Sequence, residues 1–336
     1  MRIIILGFGH IAKLHYIKWC VYNPIIKHIS IYDSNINSEI ILKDRFFKGI
    51  DKISQKKINV ISSDKKIEDI FLENKFNKAL ILTNNTSHFY LAKIALDNNC
   101  DVLVEKPATI SSKGFKYLEK KAIKKNKFFF PAYHQLFRSE TDIFIPDLRR
   151  FFDENSLKEV LITSGSGKGI PSHALRGGFS EKEKAGGGVL LDLGSHFINL
   201  FFYFLKETNN INLFFKNYFI YDYVIGKDES NEVENKFKVT LKNNYIRVKI
   251  KFSYLDEYDT GIIFSSKTSK IKWPPKGVTF SNLAFKNMLE QFFFINRQLT
   301  FKEFSKSNYY QSILITIEMI ENLYANSDFK LKNVLY

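Results

Sequence analysis

Apolar and polar positions change period part-way along the chain. In the first 132 residues, short continuous apolar runs at 2–6, 28–32, 58–61, 79–83, 101–104 and 128–130 alternate with helix-period segments at 11–21, 67–72 and 88–96 and a lysine-dense one at 117–127. Uninterrupted β-branched and leucine runs are what parallel strands buried on both faces require. Their alternation with helices predicts βαβ units and a doubly wound parallel sheet. From residue 133 the pattern differs. A helix is expected at 141–152, a strand at 158–164 and a strongly apolar helix after Gly186 to about residue 205. Alternating runs then follow at 213–224, 234–241, 245–254 and 261–265, with a turn at Asn243-Asn244, and amphipathic helices at 282–294 and 311–324. Consecutive strands with short connections predict antiparallel pairing. The expected fold is α/β in residues 1–132, followed by an α+β domain with a mostly antiparallel sheet in 133–336.

Composition alters this picture little. A chain of 336 residues suits two domains, and 45% hydrophobic with 15% aromatic residues excludes disorder. The net charge of +15 raises nucleic acid as a partner. The lysines are scattered, however, and the chain favours Lys, Asn, Ile, Phe and Tyr, the residues of A/T-rich codons, so no nucleic-acid partner is expected. Cys20 and Cys100 lie far apart without metal-ligand spacing, and neither a disulfide scaffold nor a metal site is expected. The N-terminal apolar run is too short for a signal peptide, and residues 197–205 are too short to span a bilayer. No membrane partner is expected, and the location is expected to be cytoplasmic.

The first strand runs directly into Gly7-Phe8-Gly9-His10-Ile11-Ala12 and then a helix. In that context a Gly-x-Gly-x-x-Gly/Ala motif is informative: Gly7 makes the tight turn, Gly9 lets backbone approach a pyrophosphate, and Ala12 lets the helix pack on the strand. The turn residues Gly7, Phe8, Gly9, His10 and Ile11 are therefore expected to bind a dinucleotide, with its pyrophosphate at the helix N-terminus. Asp33 ends the second strand at the distance where a carboxylate meets the adenosine ribose. Ser34 and Asn35 follow it rather than an arginine, so NAD is favoured, with NADP the alternative. Two further strand ends, Thr83-Asn84-Asn85 with His88 and Glu105-Lys106-Pro107, stand where open sheets collect ligands. Read alone, Lys106 is a turn lysine beside a stiffening proline.

Gly186-Gly187-Gly188 opens the apolar helix, and Asp192 and His196 follow four residues apart. The glycines are expected to let backbone pass close to a ligand. The spacing places carboxylate and imidazole on one α-helical face, an arrangement suited to proton transfer or to a half-buried structural pair. Ser164-Gly165-Ser166-Gly167-Lys168-Gly169 fails the phosphate-loop pattern and is expected to be a flexible connection. With His173 and Arg176 it is expected to overhang a pocket, and Arg176 suits an anionic substrate.

Taken together, Gly7-x-Gly9-x-x-Ala12, Thr83-Asn84-Asn85-x-x-His88, Glu105-Lys106-Pro107 and Gly186-Gly187-Gly188-x-x-x-Asp192-x-Gly194-x-His196 resemble the Gfo/Idh/MocA oxidoreductases in order and approximate spacing. The resemblance covers essentially the whole chain. It implies a nicotinamide-binding Rossmann domain followed by an α+β domain, with Lys106, Asp192 and His196 in the active site. Asn84 stands where the family often has proline. In Tyr133-His134-Gln135-Leu136-Phe137-Arg138, His134 and Leu136 replace the family's asparagine and arginine, and Tyr133 and His134 are expected on the substrate side.

The expected chemistry is hydride transfer between NAD(P) and a sugar, polyol or nucleotide-sugar carbon. His196 would serve as acid/base, Lys106 would stabilise alkoxide character on the same oxygen, and Asp192 would orient substrate or histidine. An imine or conjugated-substrate reductase and a non-catalytic dinucleotide sensor are the alternatives. By fold-level analogy a homo-oligomer, dimer or tetramer, is expected.

Overall fold

Six strands form the parallel sheet of the first unit: β1 Arg2–Leu6, β2 His28–Tyr32, β3 Ile58–Val60, β4 Lys78–Ile81, β5 Asp101–Glu105 and β6 Phe129–Ala132. Their order is β3-β2-β1-β4-β5-β6, and every neighbouring pair is parallel. The computed structural model describes all residues except 173–174, 176–177, 216–218, 227–230, 277–282 and 327–336. Ile3, Ile4, Ile5, Ala79, Leu80, Ile81, Val102, Leu103 and Val104 have no exposed surface, which accounts for the unbroken apolar runs. Strand order reverses at the β1/β4 pair, and the crevice beyond their carboxyl ends is where such sheets bind ligands.

The first unit comprises Met1–Thr109, Lys113–Ala132 and Phe285–Ser305. The return of residues 285–305 corrects the simple division at residue 132. Aromatic packing accounts for it: Phe304 stacks on Phe130 at 5.3 Å between ring centroids, and Phe292 lies 5.6 Å from the same ring. At the amino end of β4, opposite the crevice at the strands' carboxyl ends, Lys78 is 1% exposed. It donates to Asp101 at 2.9 Å and to the Phe292 carbonyl at 3.3 Å. Burial pushes the Lys78 pKa down, and the Asp101 carboxylate opposes that.

The second unit, Ile110–Ser112, Tyr133–Ala284 and Lys306–Tyr336, has its own six-stranded sheet. Its strands are β7 Glu159–Ser166, β8 Phe219–Gly226, β9 Lys236–Lys242, β10 Arg247–Ser253, β11 Glu257–Ser265 and β12 Lys270–Trp273, in the order β12-β11-β7-β10-β9-β8. β7 pairs with β10 in parallel and the other neighbours are antiparallel. Phe237, Val239, Leu241, Val248, Ile250 and Phe252 are buried on one face. The intervening lysines lie on the other, where Lys236 pairs with Asp256 and Lys249 with Glu159. The basic residues of β9 and β10 are therefore the solvated side of a two-residue repeat.

Helix Ser195–Glu207 covers the apolar face, with Phe197 6.2 Å from Phe252 and Phe201 6.3 Å from Phe264 between ring centroids. Residues Lys182–Glu207, helical on both sides of a break at 186–188, are long and apolar enough to cross a membrane, although the sequence reading took residues 197–205 alone as too short. Yet 83% of their most apolar window is buried inside the protein, as in a core helix. Two further expectations are corrected. β7 continues through Ser164-Gly165-Ser166, with Gly165 paired to Ser253 and Tyr258, so half of the supposed flexible connection is strand. Residues 213–224 begin with helix Asn212–Phe215 before β8.

Candidate active site

In the first unit the glycine turn is built by two glycines with different tasks. Gly7 has φ +101°, and a Cβ there would stand 2.6 Å from the Leu82 carbonyl oxygen. β1 therefore bends against the end of β4 without room for any side chain. At Gly9 a Cβ would meet nothing within 4 Å. Gly9, His10 and Ile11 are exposed at the start of the following helix. Phe8 is only 2% exposed, and its ring stacks on Phe47 at 5.7 Å, so the side chain is core and only its backbone belongs to the turn. The Phe8 N–H donates to Asp33 Oδ2 at 2.8 Å, and Asn35 N–H donates to Asp33 Oδ1 at 2.9 Å. Asp33 thus fastens the glycine turn to the end of β2. A carboxylate has about four acceptor positions, which leaves capacity for hydroxyl donors.

The helix after the turn is π-helical over Ala12–Ile17 before becoming α-helical at Lys18–Tyr22. The Tyr16 hydroxyl donates to Glu105 Oε1. Glu105 Oε2 accepts the Lys106 N–H at 2.9 Å, so the first helix braces the strand end that carries Lys106. Asn84 caps the short helix Asn85–Ser87, accepting the Ser87 N–H at 3.2 Å. Its φ of −72° lies in the range proline imposes, so asparagine reproduces the backbone angle of the more usual residue. The Thr83 and Ser87 hydroxyls meet at 2.7 Å.

His88 is fully buried. Its Nδ1 lies 2.8 Å from the Pro107 carbonyl and its Nε2 3.1 Å from the Thr83 carbonyl. Burial pushes its pKa down, the two carbonyls oppose this, and the nearby Lys106 cation adds to the lowering. Among the residues expected to meet cofactor, Asn85 and His88 are buried, whereas Thr83, Asn84, Glu105 and Lys106 are half-buried.

In the second unit the three glycines have a packing role that the sequence reading did not anticipate. Gly186, at φ +78°, ends the short helix Lys182–Ala185. A Cβ at Gly187 would stand 2.7 Å from the Tyr324 hydroxyl, and one at Gly188 only 1.9 Å from the Glu234 carbonyl oxygen. Buried Glu234 caps the next helix: Oε2 accepts Gly188 N–H at 2.9 Å, Oε1 accepts Leu190 N–H at 3.1 Å, and its carbonyl accepts Val189 N–H at 2.9 Å. The Tyr324 hydroxyl donates to Oε1 at 2.5 Å. Burial pushes the Glu234 carboxyl pKa up, while these donors hold it down. Gly188 lies against Glu234 and Gly187 against Tyr324 of their own chain, where the sequence reading expected an approach to ligand.

Residues Leu190–Gly194 are π-helical, so the Asp192–His196 spacing does not fall on the regular α-helical face that was expected. The Tyr254 hydroxyl, itself buried, donates to Asp192 Oδ2 at 2.6 Å. His196 is 8% exposed, and its ring stands edge-on to that of His134 at 4.9 Å and to Tyr133 at 6.5 Å. The structure thus brings Tyr133, His134 and His196 together. Glu234, Tyr254 and Tyr324 were not among the sequence candidates, because no local motif links them to residues far away in the chain. Arg176 and His173 lie outside the described residues.

Known proteins resemble this chain in sequence and in fold. The GFO_IDH_MocA family, described as an oxidoreductase family with an NAD-binding Rossmann fold, matches residues 1–133. D-glucoside 3-dehydrogenase of Escherichia coli (strain K12) is 24% identical over 209 residues, covering 61% of this chain and 54% of that protein. The chain therefore spans about half the length of this curated relative. GenD2 from gentamicin A biosynthesis, solved in complex with NAD, shares the fold with a TM-score of 0.73 at 12% identity, over 99% of this chain and 97% of its own. KijD10, a 3-ketoreductase from Actinomadura kijaniata solved with NADP and TDP-benzene, has a TM-score of 0.72 at 12% identity, over 97% of each chain.

Proposed function

We propose, from the match of residues 1–133 to an oxidoreductase family with an NAD-binding Rossmann fold, that the chain transfers hydride between a nicotinamide dinucleotide and a carbon of a sugar, polyol or nucleotide-linked sugar. The observation that carries this reading is the join between Asp33 and the glycine turn, at 2.8 Å. It sets a carboxylate beside the turn where dinucleotide folds receive the adenosine ribose. The residues present suit the cofactor: the space in front of Gly9 is open, and His10 and Ile11 are exposed residues at a helix start, where N–H groups favour an anion. The Asp33 carboxylate repels a 2′-phosphate, which supports NAD over NADP.

When bound, the nicotinamide supplies the hydride acceptor or donor. His196 takes up or returns the proton of the substrate oxygen, and Lys106 supplies a cation to the charge that develops there. Asp192, held by Tyr254, orients a substrate hydroxyl, and Tyr133 and His134 flank the imidazole. Arg176 meets an anionic substrate group. A cytoplasmic homo-oligomer acting on a small molecule completes the reading.

Its test is a panel of sugars, polyols, nucleotide sugars and imines with NAD and NADP, followed by the near-ultraviolet absorbance of reduced nicotinamide. Turnover on a hydroxyl- or keto-bearing sugar is the expected result. Turnover confined to imines, or none on the whole panel with NAD bound, refutes it. The substitution Gly9→Ala gives an independent check of the turn. With open space around the added methyl, the melting temperature should hold or rise slightly. The dissociation constant for NAD, measured calorimetrically, should rise about tenfold, the equivalent of ~1.4 kcal/mol.

A further inference from the structure

Two side chains, Glu105 at the end of β5 and His88 at the start of helix His88–Asp97, hold the backbone on either side of Lys106. On the amino side, Glu105 Oε2 accepts the Lys106 N–H at 2.9 Å, while its other oxygen receives the Tyr16 hydroxyl. On the carboxyl side, the Pro107 carbonyl lies 2.8 Å from Nδ1 of His88, the first residue of helix His88–Asp97. The same imidazole reaches the Thr83 carbonyl at the end of β4 with Nε2, at 3.1 Å. Both partners are carbonyl oxygens and can only accept. A ring nitrogen bonded to either must carry a proton, and a neutral imidazole has one. The shorter contact is the one to Pro107. With no exposed surface, His88 cannot touch a bound molecule itself.

We propose that His88 is a positioning residue, whose Nδ1–H holds the Pro107 carbonyl and thereby fixes the backbone from which the Lys106 side chain reaches substrate. This rests on the hydride-transfer reading for its effect on turnover, though not for its geometry. Displacement of a reacting group by about 1 Å can cost on the order of 10²-fold in rate. A tether at each end of the Lys106 peptide is the kind of support that prevents such displacement.

Two conservative variants separate the tethers. The amide nitrogen of His88→Asn falls near the Nδ1 position and keeps the bond to Pro107. That of His88→Gln falls near Nε2 and keeps only the bond to Thr83. Each is examined for turnover and by NMR after reductive methylation with carbon-13, the Lys106 signal being identified by its loss in Lys106→Met. His88→Asn should keep kcat within about twofold and leave the Lys106 signal in place. His88→Gln should move or broaden that signal and lower kcat roughly tenfold or more, with a much smaller change in KM. Identical behaviour of the two variants in the Lys106 signal overturns the proposal. In the unaltered protein, nitrogen-15 shifts of His88 give a check that needs no variant: a protonated Nδ1 supports the tether and an unprotonated one overturns it. If no substrate is turned over, the hydride-transfer reading fails, while the Lys106 and His88 signals still decide this inference.

Discussion

The substitution His196→Asn is expected to lower kcat by about 10²- to 10⁴-fold, the range a positioned proton-transfer group contributes, while leaving the dissociation constant for NAD unchanged. Asparagine keeps a hydrogen-bonding nitrogen close to the imidazole position but cannot exchange a proton near neutral pH. An imidazole, with an ordinary pKa of about 6.5, can run in both directions there. The fold should tolerate the change. His196 lies against the rings of His134 and Tyr133, and the smaller amide removes these two ring contacts without leaving a buried charge. Lys106→Met keeps the length and apolar stem of the side chain and removes only its cation, so a comparable loss in kcat with NAD still bound is expected. Stopped-flow turnover and fluorescence titration with NADH check both variants. Wild-type kcat in either would remove that residue from the chemistry.

Much of the first unit could be read directly from residue order. Apolar runs such as Ile3-Ile4-Ile5 and Leu80-Ile81 are unbroken because both faces of the sheet are covered, and that burial leaves a local mark in the sequence. The Gly7 turn and Asp33 are legible for the same reason: the constraint acts within one βαβ unit. What escaped detection depends on partners distant in sequence or on a change of helical period. A 3.6-residue template has no way to register the π-helical segments Ala12–Ile17 and Leu190–Gly194, which accommodate an extra residue per turn. Their consequences are particular: Tyr16 meets Glu105, and Asp192 meets Tyr254. Likewise Gly187 and Gly188 look like ligand-approach glycines until Tyr324 and Glu234 arrive against them. Residues 285–305 read as an ordinary amphipathic helix with its continuation. Only the rings of Phe130 and Phe128 show which sheet they serve.

Gly188→Ala should destabilise the second unit by about 4 kcal/mol or more, a loss confined to a few kinds of steric or buried-polar failure. The added methyl carbon would stand 1.9 Å from the Glu234 carbonyl oxygen and 2.7 Å from its carboxyl group. The first of these is backbone at the entry to β9 and cannot swing aside as a side chain can. Relief therefore requires the helix start and the Glu234 segment to move apart. That stretches the bonds from Gly188, Val189 and Leu190 N–H, now 2.9, 2.9 and 3.1 Å. Each buried donor left unmatched costs about 1–3 kcal/mol, and the overpacking adds about 1–3 kcal/mol more. At about 2–4 °C per kcal/mol, the melting temperature should fall by roughly 10 °C, as calorimetry would record. Gly187→Ala supplies the internal comparison, since its nearest obstacle is the tip of the Tyr324 side chain at 2.7 Å. A rotamer adjustment can yield there, so a loss of about 1–3 kcal/mol is expected. Equal melting temperatures for the two variants would mean that the Glu234 backbone does not set the limit on residue 188.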